Sequence, residues 1–211
     1  MTKATTTVIG LGDNDAQFNV YIGNRPAFDF KTSDDKAHPV SQGEIYACGQ
    51  ACGNGWRKVF NVYAKLVFAY ASENLGTSDY NCWQDYRDQK LLQLNSGTSL
   101  MFTAPDFTAS NLSTPNLNEP LLNEHDSGKP HTSDSGIAHS VPPAVHIIMG
   151  RTYANSLKLP HYLTWLDNEF AVNREHQIIV CPYFDYRQLS NMKIIRLVEL
   201  IAELQLKKAI S

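Results

Sequence analysis

The sequence predicts an α/β fold, a three-layer α/β/α sandwich around a mainly parallel sheet, and three observations predict it. Short apolar runs rich in β-branched residues, at 17–23 (QFNVYIG), 144–150 (AVHIIMG) and 177–182 (QIIVCP), read as strands. Segments whose apolar residues recur every three or four positions lie between them, which is the period of a helix face. Each run is closed by a glycine or proline, namely Gly23, Gly150 and Pro182, so each strand ends in a turn before the next helix.

At 211 residues, with 43% apolar and 18% charged residues, the chain can build one full hydrophobic core, so residues 1–211 are expected to form a single domain. The formal net charge of -3 gives no overall attraction to polyanions. Any nucleic-acid contact would need a local basic patch. The longest apolar stretch, 59–71, is interrupted by Asn61 and Lys65, and no apolar leader opens the chain. No membrane contact and a cytoplasmic location are therefore expected. Cysteines at 48, 52, 82 and 181 are too few and too uneven for a disulfide framework, so reduced thiols are expected.

Taken in order, the first strand ends at Gly23, where Asn24, Arg25 and Pro26 give a turn signal. Residues 28–42 are charged and polar and contain Pro39, as a surface loop would be, while 44–53 fit neither period. From 54 to 73 the residues Trp56, Val59, Phe60, Tyr63, Leu66, Val67 and Tyr70 mark a helix face. Asn54 is its expected N-cap, and Asn74 and Gly76 its stop. A shorter helix fits 83–94, and TSLMFT at 98–103 reads as a strand ended by Pro105. Between 105 and 143 the composition shifts to Asn, Ser, Thr, Pro, Asp and His, a long polar excursion from the domain. Helices are then expected at 151–157 and, by apolar spacing, at 162–170, with a last helix pattern resuming at Ile194.

If the three strands run parallel, the loops after Gly23, Gly150 and Cys181 share one edge of the sheet, where open α/β sheets bind ligands. That edge would hold Asn24, Arg25, Arg151, Thr152, Tyr153, Asp185, Arg187, Ser190 and Asn191. Three arginines suit an anionic phosphate or carboxylate ligand, although they could instead be solvated or paired with Asp29 and Asp185. Tyr183, Phe184 and Tyr186 could stack on a base or sugar, or pack under the sheet edge. Gly150 before a helix start would leave amides free for an anion, but neither the G-x-G-x-x-G nor the G-x-x-x-x-G-K-[ST] pattern is present. ATP hydrolysis is not expected.

Cys48 and Cys52 lack the close spacing of a zinc site, so neither a metal nor another cofactor is expected. His125, His131 and His139 lie in the polar excursion and read as solvated. His146 sits inside an apolar strand and reads as a core histidine before a catalytic base. Cys181, at a strand end, is either a small buried residue or a nucleophile activated by Arg187.

The order of a G-x-x-P turn after the first strand (Gly23, Asn24, Arg25, Pro26), a middle strand ending in Gly150, and a last strand opening into Cys181, Pro182 and Tyr183 resembles the uracil-DNA glycosylase superfamily. The segment RQLSN followed by KIIRLVELI resembles the helix-opening end of that family's last loop. The resemblance covers about half the chain. It implies a three-layer fold, an acid or amide in the first loop that orients water, and a His-Pro-Ser-like loop that engages DNA. Here Arg25 stands at the acid's position and Cys181 at the histidine's, so both chemical residues of the classical members are absent.

The sequence therefore leads to a nucleobase, nucleotide or nucleic-acid ligand at the sheet edge. Asn24 and Asp185 would be the candidate catalytic groups for a divergent N-glycosidic hydrolase. Arg25, Arg151, Thr152, Tyr183, Tyr186, Arg187, Ser190 and Asn191 would contact the ligand. The alternatives are an enzyme of a small phosphate or carboxylate metabolite using Cys181 or Asp185, and a non-catalytic protein that binds a partner through 105–143.

Overall fold

The computed structural model describes residues 9–30, 36–74, 79–105, 143–157, 159 and 163–210. The described residues belong to one compact unit. The polar excursion falls almost wholly outside the described residues, and with it His125, His131 and His139.

The strands are β1 (Gly10–Gly12), β2 (Phe18–Tyr21), β3 (Ala37–His38), β4 (Thr98–Met101), β5 (Val145–Met149), β6 (Thr164–Trp165), β7 (Ala171–Asn173) and β8 (Ile178–Cys181). The helices are α1 (Glu44–Cys52), α2 (Asn54–Asn74), α3 (Trp83–Gln89), α4 (Arg151–Ser156) and α5 (Asn191–Ile210). One mixed sheet runs in the order β3-β1-β4-β2-β5-β8-β7-β6. Its centre, β4-β2-β5-β8, is parallel throughout, with Val20 opposite both Leu100 and Ile147. Antiparallel pairs flank that centre, β1 against β4 on one side and the β6-β7-β8 meander on the other. Crossovers through helices explain the parallel centre, and short turns explain the antiparallel meander.

The period-two alternation sorts side chains sharply. Leu11, Phe18, Val20, Leu100, Val145, Ile147, Ile179 and Cys181 point to one face and join a single buried core with α2 and α5. Helix α2 supplies Trp56, Val59, Phe60, Tyr63, Leu66 and Val67 to that core, and α5 supplies Ile194, Leu197, Val198, Ile201 and Leu204. Tyr63 is fully buried, and its hydroxyl lies 2.9 Å from the Phe18 carbonyl and 3.0 Å from that of Ser99. It can donate to only one at a time, so it bridges β2 and β4 from the helix side. The other face carries Ser99, Asn19, Tyr21 and His146 toward β1 and Ile148, Ile178 and Val180 toward β8.

Several local expectations change. The stretch 44–53, which fits neither period, holds α1 (Glu44–Cys52), whose start is held by the Ser41 N–H donating to Glu44 Oε2 at 2.6 Å. Asn54 is the first residue of α2, not its cap, and its side-chain oxygen accepts the Arg57 guanidinium. The helix expected at 162–170 is instead β6 and a hairpin turn. Asp167 Oδ1 accepts the N–H groups of Glu169 and Phe170, and Leu166 N–H bonds to the Phe170 carbonyl, so turn chemistry overrides the apolar spacing there. No helix among the described residues is long and apolar enough to cross a membrane.

Tyr63→Phe should lower stability by about 1–2 kcal/mol, the cost of an unmet buried hydrogen bond. Urea unfolding should show a lower midpoint with an unchanged slope.

Candidate functional site

Strand β4 lies on one side of β2 and β5 on the other, so the direction in which the chain adds strands reverses at β2. Such a reversal opens a crevice beyond the carboxyl ends of the strands. The ends of β2, β5 and β8 are joined there. Gly150 N–H donates to the Cys181 carbonyl at 2.8 Å, and the Tyr183 hydroxyl donates to Asn24 Oδ1 at 3.2 Å. The second bond links the loops after β2 and β8 across the end of β5. Gly150 has φ 89°, a conformation that favours glycine, and turns the chain into α4. Tyr153 of α4 then lies so close to Gly23 that a Cβ there would meet its ring at 2.8 Å.

The β8–α5 loop is held from below by a residue the sequence reading passed over. Lys58, in the second turn of α2, donates to Asp185 Oδ2 at 2.7 Å, with both side chains largely buried, at 19% and 21% exposed. Its ammonium also lies 4.8 Å from the centre of the Tyr186 ring. Asp185 Oδ1 accepts the Arg187 N–H at 3.0 Å, so both carboxylate oxygens are engaged. The hydrogen bond and charge of Lys58, then the Arg187 amide, hold the Asp185 carboxyl below its ordinary range. A carboxylate so held is a weak proton acceptor. A sequence signal for Lys58 did exist, because a cation near a helix N-terminus opposes the macrodipole and calls for a carboxylate partner.

The remaining expected site residues divide. Tyr183 is half-buried, and burial raises its hydroxyl pKa, partly offset by the bond to Asn24. Arg25 is exposed, with its guanidinium 5.4 Å from the Phe102 ring, which Trp56 meets edge-on at 6.2 Å. Arg187 is exposed, and neither it nor Arg25 has a carboxylate within ion-pair distance among the described residues. The exposed Tyr186 stands beside Arg187, the Ser190 carbonyl accepts the Ile194 N–H, and the exposed Asn191 begins α5. Arg151 turns to the meander: its guanidinium stacks 4.4 Å from the Trp165 ring and donates to the Asn168 carbonyl at 3.2 Å. Thr152 is exposed on α4 without a hydrogen-bond partner among the described residues. The structure thus joins Asn24 to Tyr183 and Asp185 to Lys58, and ties Arg151 to the β6–β7 hairpin.

Other candidates take structural places. Cys181 is fully buried, and burial pushes its thiol well above the ordinary range, which removes the thiolate a nucleophile needs. Cys48 is buried too, its thiol pushed up to about 12 by burial and by Cys52. Among the described residues no group of three or more His, Cys, Asp or Glu side chains could hold a metal ion. Phe184 is buried and packs on Tyr63 at 5.8 Å between ring centres, so it belongs to the core and not to a stacking platform.

Residues 9–202 match the model of a family described as a family of unknown function, DUF6942. No curated protein and no solved structure matches the chain.

Lys58→Met should raise the pKa of Asp185, read by carbon NMR of its carboxyl group. Because the folded-state pKa is lowered, the pair's stabilisation is present above the ordinary carboxylate range and is lost as pH falls through the lowered value. The variant should therefore be less stable near neutral pH, by up to about 1 kcal/mol, and should match the parent in acid.

Proposed function

This chain belongs to the DUF6942 family, and we propose that it binds a nucleobase, nucleotide or nucleic acid at the carboxyl edge of its sheet. The observation that carries this reading is the Asn24–Tyr183 bond across the switch point, flanked by two exposed arginines that have no carboxylate partner among the described residues. Arg25 and Arg187 would hold phosphate groups, Tyr183 and Tyr186 would offer rings for stacking, and Asn24 would offer its free amide N–H groups to a base edge. The motifs that resemble the uracil-DNA glycosylase superfamily sit at the ends of β2, β5 and β8. Their position as parallel neighbours supports the reading, and a three-layer arrangement of the whole chain belongs to the same proposal.

Hydrolysis of an N-glycosidic bond is the reaction this edge would carry. Asn24 would orient the attacking water, since an amide can position a water although it cannot deprotonate one. Asp185, kept ionised by Lys58, would act as a fixed negative charge that stabilises a cationic sugar in the transition state. The burial of Cys181 weighs against the alternative of a thiol enzyme for small acids.

The test is fluorescence anisotropy of a short uracil-containing single strand over a range of salt concentrations. The full chain should bind with a linear dependence of log K on log salt, and Arg187→Ala or Arg25→Ala should each reduce the slope by about 0.7. No binding at low salt, or a slope unmoved by both variants, would overturn the proposal. If the edge is also hydrolytic, Asn24→Ala should abolish base release from the bound strand while leaving the salt slope unchanged.

A further inference from the structure

The arginines of the carboxyl edge differ in what holds them and in what they leave free. Arg187 has no ring under its guanidinium among the described residues. Arg151 has one, Trp165, but also gives a donor to the Asn168 carbonyl. Arg25 has a ring and no acceptor. Its guanidinium lies over Phe102, 5.4 Å from the ring centre, and its side chain makes no hydrogen bond or ion pair among the described residues. A ring attracts a cation through its quadrupole and takes up no donor the way an oxygen does, so the N–H groups of Arg25 stay available.

Phe102 owes its place to the sheet. β2 and β4 run parallel with Tyr21 opposite Met101, and the Ile22 N–H donates to the Met101 carbonyl at 3.0 Å, so Phe102 leaves the ladder beside the turn that carries Arg25. Its own N–H donates to the Ile9 carbonyl at 2.8 Å, which ties its backbone to the chain entering β1. The ring is half-buried and meets Trp56 of α2 at an interplanar angle of 87°, and Trp56 in turn lies 5.9 Å from Phe60. Trp56 and Phe60 are buried, so a line of three rings runs from the core to the edge and the outermost one carries Arg25. Pro26, also buried, anchors the turn directly after it.

We propose that Arg25 on its Phe102 shelf is a preset subsite for a phosphate group, and that Phe102 is the residue that positions it. The inference rests on the ligand class given under Proposed function and adds the residue that fixes where a phosphate sits. A guanidinium loose in solvent gives up rotamer freedom when it binds an oxyanion, whereas one already resting on a ring has given up part of it beforehand. Its planar fork then meets two phosphate oxygens at once. A lysine at this position would keep the charge and lose both the fork and the stacking.

The test is a double-mutant cycle on Arg25 and Phe102 in the full chain, with two readouts. One is anisotropy of the short uracil-containing strand, and the other is the Arg25 Nε–H NMR signal titrated with inorganic pyrophosphate. Phe102→Leu, which keeps an apolar side chain against Trp56, should weaken the strand about threefold. Arg25→Lys should weaken it about fivefold. Both variants keep the charge, so the salt slope should not change, and the two together should cost no more than Arg25→Lys alone. Pyrophosphate should shift the Arg25 signal in the parent and need about three times the concentration to do so in Phe102→Leu. Strand binding unaffected by either variant, additive losses in the double variant, or an equal pyrophosphate midpoint in Phe102→Leu would overturn the subsite while leaving the nucleic-acid reading in place. A strand that does not bind, with pyrophosphate still acting on Arg25 through Phe102, would remove the nucleic-acid reading and support the subsite. No response to either ligand would remove both.

Discussion

The burial of one helix face against one sheet face is the constraint on which the rest of this molecule depends. Tyr63 stands at its centre, since its ring packs on Phe184 under the last loop and its hydroxyl reaches the backbones of β2 and β4. With α2 fixed there, its first turns lie beneath the β8–α5 loop, and Lys58 meets Asp185. The loop that carries the candidate site is thus positioned by a residue that precedes it by most of the chain. A buried tyrosine at the middle of the helix and an ion pair near its start act as two points of one lever.

The two faces of the sheet have different tasks. One is uniformly large and apolar, as a stable core requires. The other changes character across its width, polar where Ser99, Asn19, Tyr21 and His146 lie on β4, β2 and β5 and apolar where Ile148, Ile178 and Val180 lie on β5 and β8. Exposed guanidinium groups of Arg25 and Arg187 stand at the sheet's carboxyl edge. The local field at that edge is therefore set by these side chains and not by the net charge of -3.

The parallel centre of the sheet was legible in the sequence because β2, β4, β5 and β8 are short apolar runs closed by glycine or proline, and α2 was legible because its apolar residues repeat at helical spacing over many turns. The shortest strands were not. Gly10–Gly12 has two glycines in three residues, Gly12 having φ 97° and a backbone so close to the Thr98 carbonyl that a Cβ would not fit, so neither composition nor period marks a strand there. β6 was hidden by apolar spacing that Asp167 overrides through local hydrogen bonds. Of the site, the loops were legible and their internal bonds were not. Nothing in the spacing of Asn24 and Tyr183, or of Lys58 and Asp185, says that they meet, because such pairs are made by the fold. The redirection of Arg151 has the same cause: Trp165 offers it a ring only once the hairpin has formed.

The pairing of β2 with both β4 and β5 also bears on how the chain acquires its structure. Phe18 is made well before either of its two ladder partners, Thr98 and Val145. Until then both hydrogen-bonding edges of the future central strand are open, and the closing contacts are among the most non-local the chain makes. Folds of this kind gain their native contacts late and slowly, with exposed strand edges meanwhile available to neighbouring chains. Asn19 interrupts the apolar run of β2, and in the unfinished chain it makes that strand a poorer template for a stranger than an unbroken run would be.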